Sequence, residues 1–369
     1  MVFAPRDNVP LAGFCTLGLG GPARFFHEAL VEEELCEALA WAEAQGVPVF
    51  VLGGGSNLVA PDAGFPGLVL RVGLLGRTRL PADDGTGTEG AVLQVAAGED
   101  WQEVVAFTVE QDLAGFECLS GIPGRTGATP IQNVGAYGQE VAEVIESVRL
   151  YDRQARQVNE LPRSACAFAY RSSLFKRAPD RFVVLAVRFR LRPGGPPTLR
   201  YRELVDALGP SASSAGLSQV RQTVLALRRR KSMVIDPVDP NRRSVGSFFM
   251  NPIVDAATAD GVVATALTAG LVTDAALVPR YPAGPGQVKL AAGWLIEKAG
   301  IKKGERHGPV GISSAHALAL VHHGGGSTRA LLALARTVRD RVQARFGVTL
   351  VPEPVILGAD PADPLRVPG

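Results

Sequence analysis

Cysteine is scarce in this 369-residue chain, and the four present, at positions 15, 36, 118 and 166, form no C-x-x-C pair. Scattered thiols exclude a disulfide framework and a structural zinc site, and they suit a reducing compartment. Charge of one sign is also lacking: 38 Lys and Arg stand against 36 Asp and Glu, a net +2. Such a balance gives no global pull toward nucleic acid or anionic lipid. No apolar run reaches the roughly 18 residues of a membrane span, and MVFAPRDNVPLAG does not read as a signal peptide. The five histidines, at 27, 307, 316, 322 and 323, form no metal-binding spacing; His322 and His323 on a strand would face opposite ways. The Walker A, H-E-x-x-H, G-x-S-x-G and Rossmann G-x-G-x-x-G patterns are all absent. The expectation is a cytoplasmic protein of two or three domains, with no nucleic acid partner and no metal.

Glycine is what the chain has in abundance, 42 residues of it, with 27 prolines. VEEELCEALAWAEAQ (31–45) predicts a helix with Leu35, Ala38, Leu39 and Ala42 on one stripe, acidic at its start and closed by Gly46. Strands are expected at 47–52, 67–72 and 92–98, and residues 81–90 read as a flexible loop. Asp100 with Glu103 predicts a capped helix carrying Val104, Val105, Thr108 and Leu113 and stopping near Gly115. Residues 148–152 and 157–161 form a hairpin pattern, and 181–192 a long strand. LSQVRQTVLALRRRK (217–231) predicts an amphipathic helix. Helices are expected at 287–299 and from about 328 to 346, and strands at 315–321 and across VTLVPEPVIL. Loose alternation of helix and strand implies an α+β protein with mixed sheets.

Two segments carry the chemical signal. Gly53, Gly54, Gly55, Ser56 and Asn57 directly follow a strand, so exposed backbone N–H groups can cradle an anion without a lysine. GIPGRTGATPIQNVGAYG (121–138) has five glycines and one charge in 18 residues, too apolar for a solvated linker. Two lysine-free glycine segments can wrap a dinucleotide, and a flavin fits better than a nucleoside triphosphate because no metal-binding carboxylate accompanies them. Tight turns are the bland alternative. Tyr170-Arg171-Ser172-Ser173, Ser247 and Asn251 in GSFFMNP, and Glu353 between two prolines are polar groups in apolar surroundings. A carboxylate placed like Glu353 is paired or functional, with an arginine as natural partner. Arg228, Arg229 and Arg230 read as a solvated helix end, and Lys231 as the residue facing a ligand phosphate.

The blocks VLGGGSNLV, LSGIPGRTGATPIQNVGAYG, YRSSLFK, VGSFFMNP, KLAAGWLIEKAG and PEPVIL, in that order from 51 to 357, together resemble the UDP-N-acetylenolpyruvoylglucosamine reductase family. The resemblance implies an α+β fold: a two-part FAD-binding domain of the PCMH or vanillyl-alcohol-oxidase kind, plus a smaller C-terminal substrate domain. It implies subdomains at 1–72 with 346–369 and at 73–232, and a substrate domain at 233–345. It further implies non-covalent FAD, NADPH as reductant and an enolpyruvyl sugar nucleotide as substrate; a monomer is expected.

The implied catalytic residues are Ser247 as proton donor, with Arg171 and Glu353 stabilising the enolate-like intermediate. The implied flavin contacts are the 53–57 segment and Gly121, Ile122, Pro123, Gly124, Gly127, Ala128, Gln132, Asn133, Gly135, Ala136 and Tyr137. Tyr170, Tyr201, Lys231 and Asn251 match substrate-binding positions, Tyr201 on a loop that closes over the sugar nucleotide. Cys15-Thr16-Leu17 departs from the family, where asparagine usually stands in the cysteine's place. Residues 81–90 and 277–287 resemble family-variable insertions, and Arg125 is unusual but compatible with pyrophosphate. The alternatives are another PCMH-type FAD oxidase of alcohols or hydroxy acids, and a sugar-nucleotide-binding protein without catalysis.

Overall fold

The computed structural model describes residues 3–80 and 90–366; the loop expected at 81–90 lies, but for Gly90, outside the described residues. Contacts divide the chain into two compact units. The first takes the residues up to Val9, Ala23–Gly55 and Pro66–Ile235; the second takes Pro10–Pro22, Ser56–Phe65 and everything from Asp236 on.

Unit 1 is built on two sheets. One orders its strands Arg6–Pro10, Pro22–Ala29, Phe65–Val72, Val49–Leu52, with the last two parallel. The helix Glu32–Ala44 buries Leu35, Ala38, Leu39 and Ala42, the stripe its periodicity predicts. The other sheet is antiparallel, ordered Gln157–Pro162, Ile145–Asp152, Phe182–Pro193, Ala91–Ala96, Arg77–Leu80. The predicted hairpin is present with Val148 opposite Leu161. A single apolar cluster joins Leu35 and Leu68 to Trp101, Phe116, Val187 and Phe189, each fully or almost fully buried. Burial of such side chains contributes roughly 1.5–3 kcal/mol apiece.

Asp100 caps the helix Trp101–Glu110, accepting the Glu103 N–H at 3.2 Å. The helix ends earlier than expected because Asp112 turns left-handed, at φ 52°. Leu113 therefore leaves the helix and pairs with Pro193 in the antiparallel sheet.

Unit 2 packs the helices Ala256–Thr268, Ala292–Lys298 and Thr328–Phe346 against two three-stranded sheets. Three expectations fail here. Residues 287–299 are not one helix: Gln287–Leu290 is a strand paired with Arg280–Gly284 and Ile253–Asp255, and the helix starts only at Ala292. A Gly-Pro-Gly turn sets that hairpin, and Asn251 Oδ1 accepts the Ala292 N–H at 2.9 Å, starting the helix there. The strand expected at 315–321 shrinks to Leu320–His322, because Ser313 Oγ accepts the N–H groups of Ala315 and His316 and folds the chain into a turn first. The terminal segment is strand only at Val355–Ile356, since Pro352 and Pro354 donate nothing to a ladder. The helix Thr328–Phe346 falls on its predicted bounds; Ser327 caps it and Gly347, at φ 69°, ends it.

A buried histidine makes unit 2 pH-sensitive. His322 Nε2 accepts the Gly326 N–H at 3.0 Å, so its proton sits on Nδ1, 3.2 Å from the Leu17 carbonyl. Burial, reinforced by the Arg243 charge and opposed by the Leu17 carbonyl, holds its pKa below the ordinary value. The folded state then binds this proton less readily than the unfolded chain. The stabilising contribution is complete above about pH 6.5 and declines as pH falls through that value. The thermal midpoint should drop between about pH 7 and pH 5, and His322→Gln should flatten the drop. An unchanged slope in His322→Gln would remove His322 as its source.

Candidate active site

In unit 1 the two glycine segments meet backbone to backbone. A Cβ on Gly54 would lie 2.8 Å from Gly124 Cα and 3.3 Å from Arg125 N, whereas one on Gly53 would meet nothing within 3.7 Å. The N–H groups of Gly54, Gly55, Gly124 and Arg125 donate to no backbone carbonyl among the described residues. Gly55 and Gly124 both have positive φ. These are four backbone donors on two segments in close contact, three of them on glycines, which fits the pyrophosphate of a dinucleotide. Arg125 itself is turned away, its Nη1 donating to the Gly98 carbonyl at 2.6 Å.

The rest of the 121–138 loop is fastened by its own side chains. Asn133 is 1% exposed and spends its amide on the scaffold: Nδ2 donates to Glu140 and Ala169, and Oδ1 accepts from Ala142. Arg171, at φ 51°, reaches into this loop and donates from Nη2 to the Gly135 carbonyl at 2.9 Å. Its guanidinium also lies 5.7 Å from the Tyr170 ring. The structure thus joins Arg171 to the segment from Asn133 to Gly135.

Tyr137, Tyr201 and Lys231 also come together. Tyr201 meets Tyr137 edge-on with ring centroids 5.5 Å apart, and Lys231 Nζ is 5.9 Å from the Tyr137 ring centre. Burial pushes the Tyr137 hydroxyl up to about 12, so it stays a proton donor. The Tyr201 segment is held from below by the buried Glu117. Its Oε1 accepts the Thr198 N–H at 2.7 Å, and Oε2 accepts the Gly115 N–H at 2.8 Å.

One residue beside this group escapes the sequence reading. Arg228 belongs to the run expected to be a solvated helix end, and Arg229 and Arg230 are indeed exposed. Arg228 instead turns inward, with Nη2 on the Met233 carbonyl at 2.7 Å and a buried Nε without a hydrogen-bond partner. Burial, aided by the positive charge of Arg171, lowers its pKa to about 10. The signal was present: Arg228 is four residues beyond the buried Val224, on the apolar stripe of the helix Leu217–Arg230. The guanidinium groups of Arg171 and Arg228 give unit 1 a cationic region suited to an anionic ligand, with Lys231 beside them paired to Glu203.

In unit 2, Ser247 and Glu353 lie on paired backbone. Phe248, next to Ser247, accepts the Glu353 N–H at 2.9 Å, and Phe249 bridges antiparallel to Pro352. Asn57 joins them, its Nδ2 3.5 Å from the Glu353 carbonyl. Asn251 is engaged as the helix starter described above. At the Cys15-Thr16-Leu17 departure, burial pushes the Cys15 thiol up to about 11, leaving it inert. Thr16 does the local fastening, with Oγ1 on the Ser244 carbonyl at 2.8 Å. Among the described residues no cluster of three potential metal ligands occurs, and no helix is long and apolar enough to cross a membrane.

Residues 236–357 match the family model for the UDP-N-acetylenolpyruvoylglucosamine reductase C-terminal domain, and residues 26–159 match a model for an FAD binding domain. The UDP-N-acetylenolpyruvoylglucosamine reductase of Thermobifida fusca (strain YX) is 48% identical over 353 residues, 95% of this chain and 97% of that protein. The protein of the same name from Saccharopolyspora erythraea is 48% identical over 359 residues, 96% of each chain. Among solved structures, the UDP-N-acetylenolpyruvylglucosamine reductase of Thermus caldophilus superposes with a TM-score of 0.63 at 24% identity. It covers 96% of this chain and 99% of that one, a likeness of fold.

Proposed function

The chain belongs to the UDP-N-acetylenolpyruvoylglucosamine reductase family, and from that premise we propose how its own residues divide the reaction. It is an FAD-dependent oxidoreductase of peptidoglycan-precursor synthesis, with NADPH as reductant. Its substrate is UDP-N-acetyl-3-O-(1-carboxyvinyl)glucosamine and its product UDP-N-acetylmuramate. The observation that carries this reading is the paired glycine backbone at Gly54 and Gly124, with its unspent N–H groups.

FAD, when bound, supplies the hydride that ends on the methylene carbon of the enolpyruvyl group. Gly54, Gly55, Gly124 and Arg125 would hold its pyrophosphate through their backbone N–H groups. Addition at the methylene carbon pushes negative charge onto the substrate carboxylate. Arg171, its guanidinium fixed by the carbonyls of Gly135 and Asn133, meets that charge with its remaining N–H groups. Ser247 then gives its hydroxyl proton to the carbon beside the carboxylate, and Glu353 works with Arg171 at that step. Lys231 binds a ligand phosphate, while Tyr170, Tyr201 and Asn251 border the sugar nucleotide. By function the chain divides into 1–72 with 346–369, 73–232, and 233–345, the last carrying Ser247.

Anaerobic spectroscopy tests the whole reading. The purified protein should be yellow, lose its flavin colour with NADPH, and regain it when the enolpyruvyl sugar nucleotide is added. A protein recoloured by oxygen but not by the sugar nucleotide is the alcohol-oxidase alternative.

A further inference from the structure

Lys231 is not waiting for a ligand with an open hand: its Nζ lies 2.6 Å from Glu203 Oε2. Glu203 stands two residues beyond Tyr201, in the first turn of the helix Arg202–Leu208. The segment from 198 to 203 is thus tied at both ends, but unequally. At Thr198 the N–H donates to Glu117 and the hydroxyl accepts from Gln139 Nε2 at 3.0 Å, and both partners are almost fully buried. At the other end Lys231 and Glu203 are 35% and 37% exposed. A buried hydrogen-bonded carboxylate is costly to unpair, while an exposed ion pair is weak. Any opening of this strap therefore begins at Glu203.

We propose that Glu203 is a positioning residue that stands in for ligand phosphate on Lys231. It holds the ammonium until a nucleoside diphosphate displaces it, and that displacement frees the Tyr201 end of the strap to move. The inference rests on the reading of Lys231 as a phosphate-binding residue. The exchange is favourable in direction because a diphosphate carries more charge and more acceptor oxygens than one carboxylate. Competition from Glu203 lowers affinity but leaves Lys231 ordered and Tyr201 in contact with Tyr137.

The test uses the FAD-loaded enzyme with UDP as probe, by calorimetric titration, together with steady-state kinetics. Glu203→Gln should tighten UDP binding about threefold, the scale of an exposed ion pair no longer broken. It should lower the KM for the sugar nucleotide by the same factor without raising kcat. In a Lys231→Met background the Glu203→Gln effect should vanish. An unchanged or weakened UDP affinity in Glu203→Gln, with Lys231→Met still impairing binding, overturns the stand-in role alone. If Lys231→Met binds UDP as tightly as the parent enzyme, the phosphate role of Lys231 falls first and takes the inference with it.

Discussion

Ser247→Ala is expected to keep its FAD and to be reduced by NADPH at the parent rate, yet to turn over the sugar nucleotide about 10²–10⁴ times more slowly. That loss corresponds to about 3–5 kcal/mol of barrier. The substitution removes one oxygen and disturbs little else. Phe248 is bonded on both sides, its N–H to the Leu318 carbonyl at 2.8 Å and its carbonyl to the Glu353 N–H. The backbone carrying residue 247 is therefore fixed independently of the serine side chain. Ser247→Cys, which retains a proton donor, should recover part of the lost rate. Stopped-flow measurement of the two half-reactions separates the effects. A Ser247→Ala enzyme forming product at the normal rate would end the assignment of this proton.

Gly54→Ala should yield a nearly colourless protein, with FAD held at least about tenfold more weakly, or about 1.4 kcal/mol. The new Cβ would sit 2.8 Å from Gly124 Cα and 3.2 Å from Gly124 C. Both are backbone atoms, so no rotamer change relieves the contact and the two segments must part. The backbone donors of the two segments would then no longer lie side by side for one anion. Gly53→Ala is the control, because its Cβ meets only the Ala128 and Arg125 side chains at 3.7 and 3.8 Å. The ratio of flavin to protein absorbance, read for both variants, decides the matter. Full flavin content in Gly54→Ala would show that the cofactor does not depend on this approach.

How much of this was legible in the sequence depended on whether the controlling interaction was local. The helix at Glu32–Ala44 was readable because its apolar spacing and its burial are the same fact. So was the long helix Thr328–Phe346, marked by Ser327 before it and Gly347 after it. The 287–299 segment misled because Val288 and Leu290 suit strand and helix alike. Their strand state is decided by pairing with Val254 and Tyr281's neighbours, contacts that spacing does not encode. At the site, the glycine segments announced themselves by composition. That Gly54 and Gly124 touch is a tertiary fact and was not readable. Arg228 was missed because a run of four basic residues suggests solvent, whereas helical phase alone turns one of them inward. The Glu203 pairing of Lys231 was likewise invisible, since the partners come from different helices.

The short parallel pairing of Val355–Ile356 with Leu58–Val59 bears on how the polypeptide is made. The two strands are about 300 residues apart, so their pairing closes late whatever the order of other events. On a ribosome adding about 5–20 residues per second, the earlier strand waits roughly 15–60 s for its partner to be synthesised. Glu353 lies just upstream of the later strand, so vectorial synthesis delivers this carboxylate after nearly all else. Nascent chains stalled before residue 353 would hold the glycine segments of unit 1 but lack a finished unit 2, and would need shielding of its apolar surfaces meanwhile.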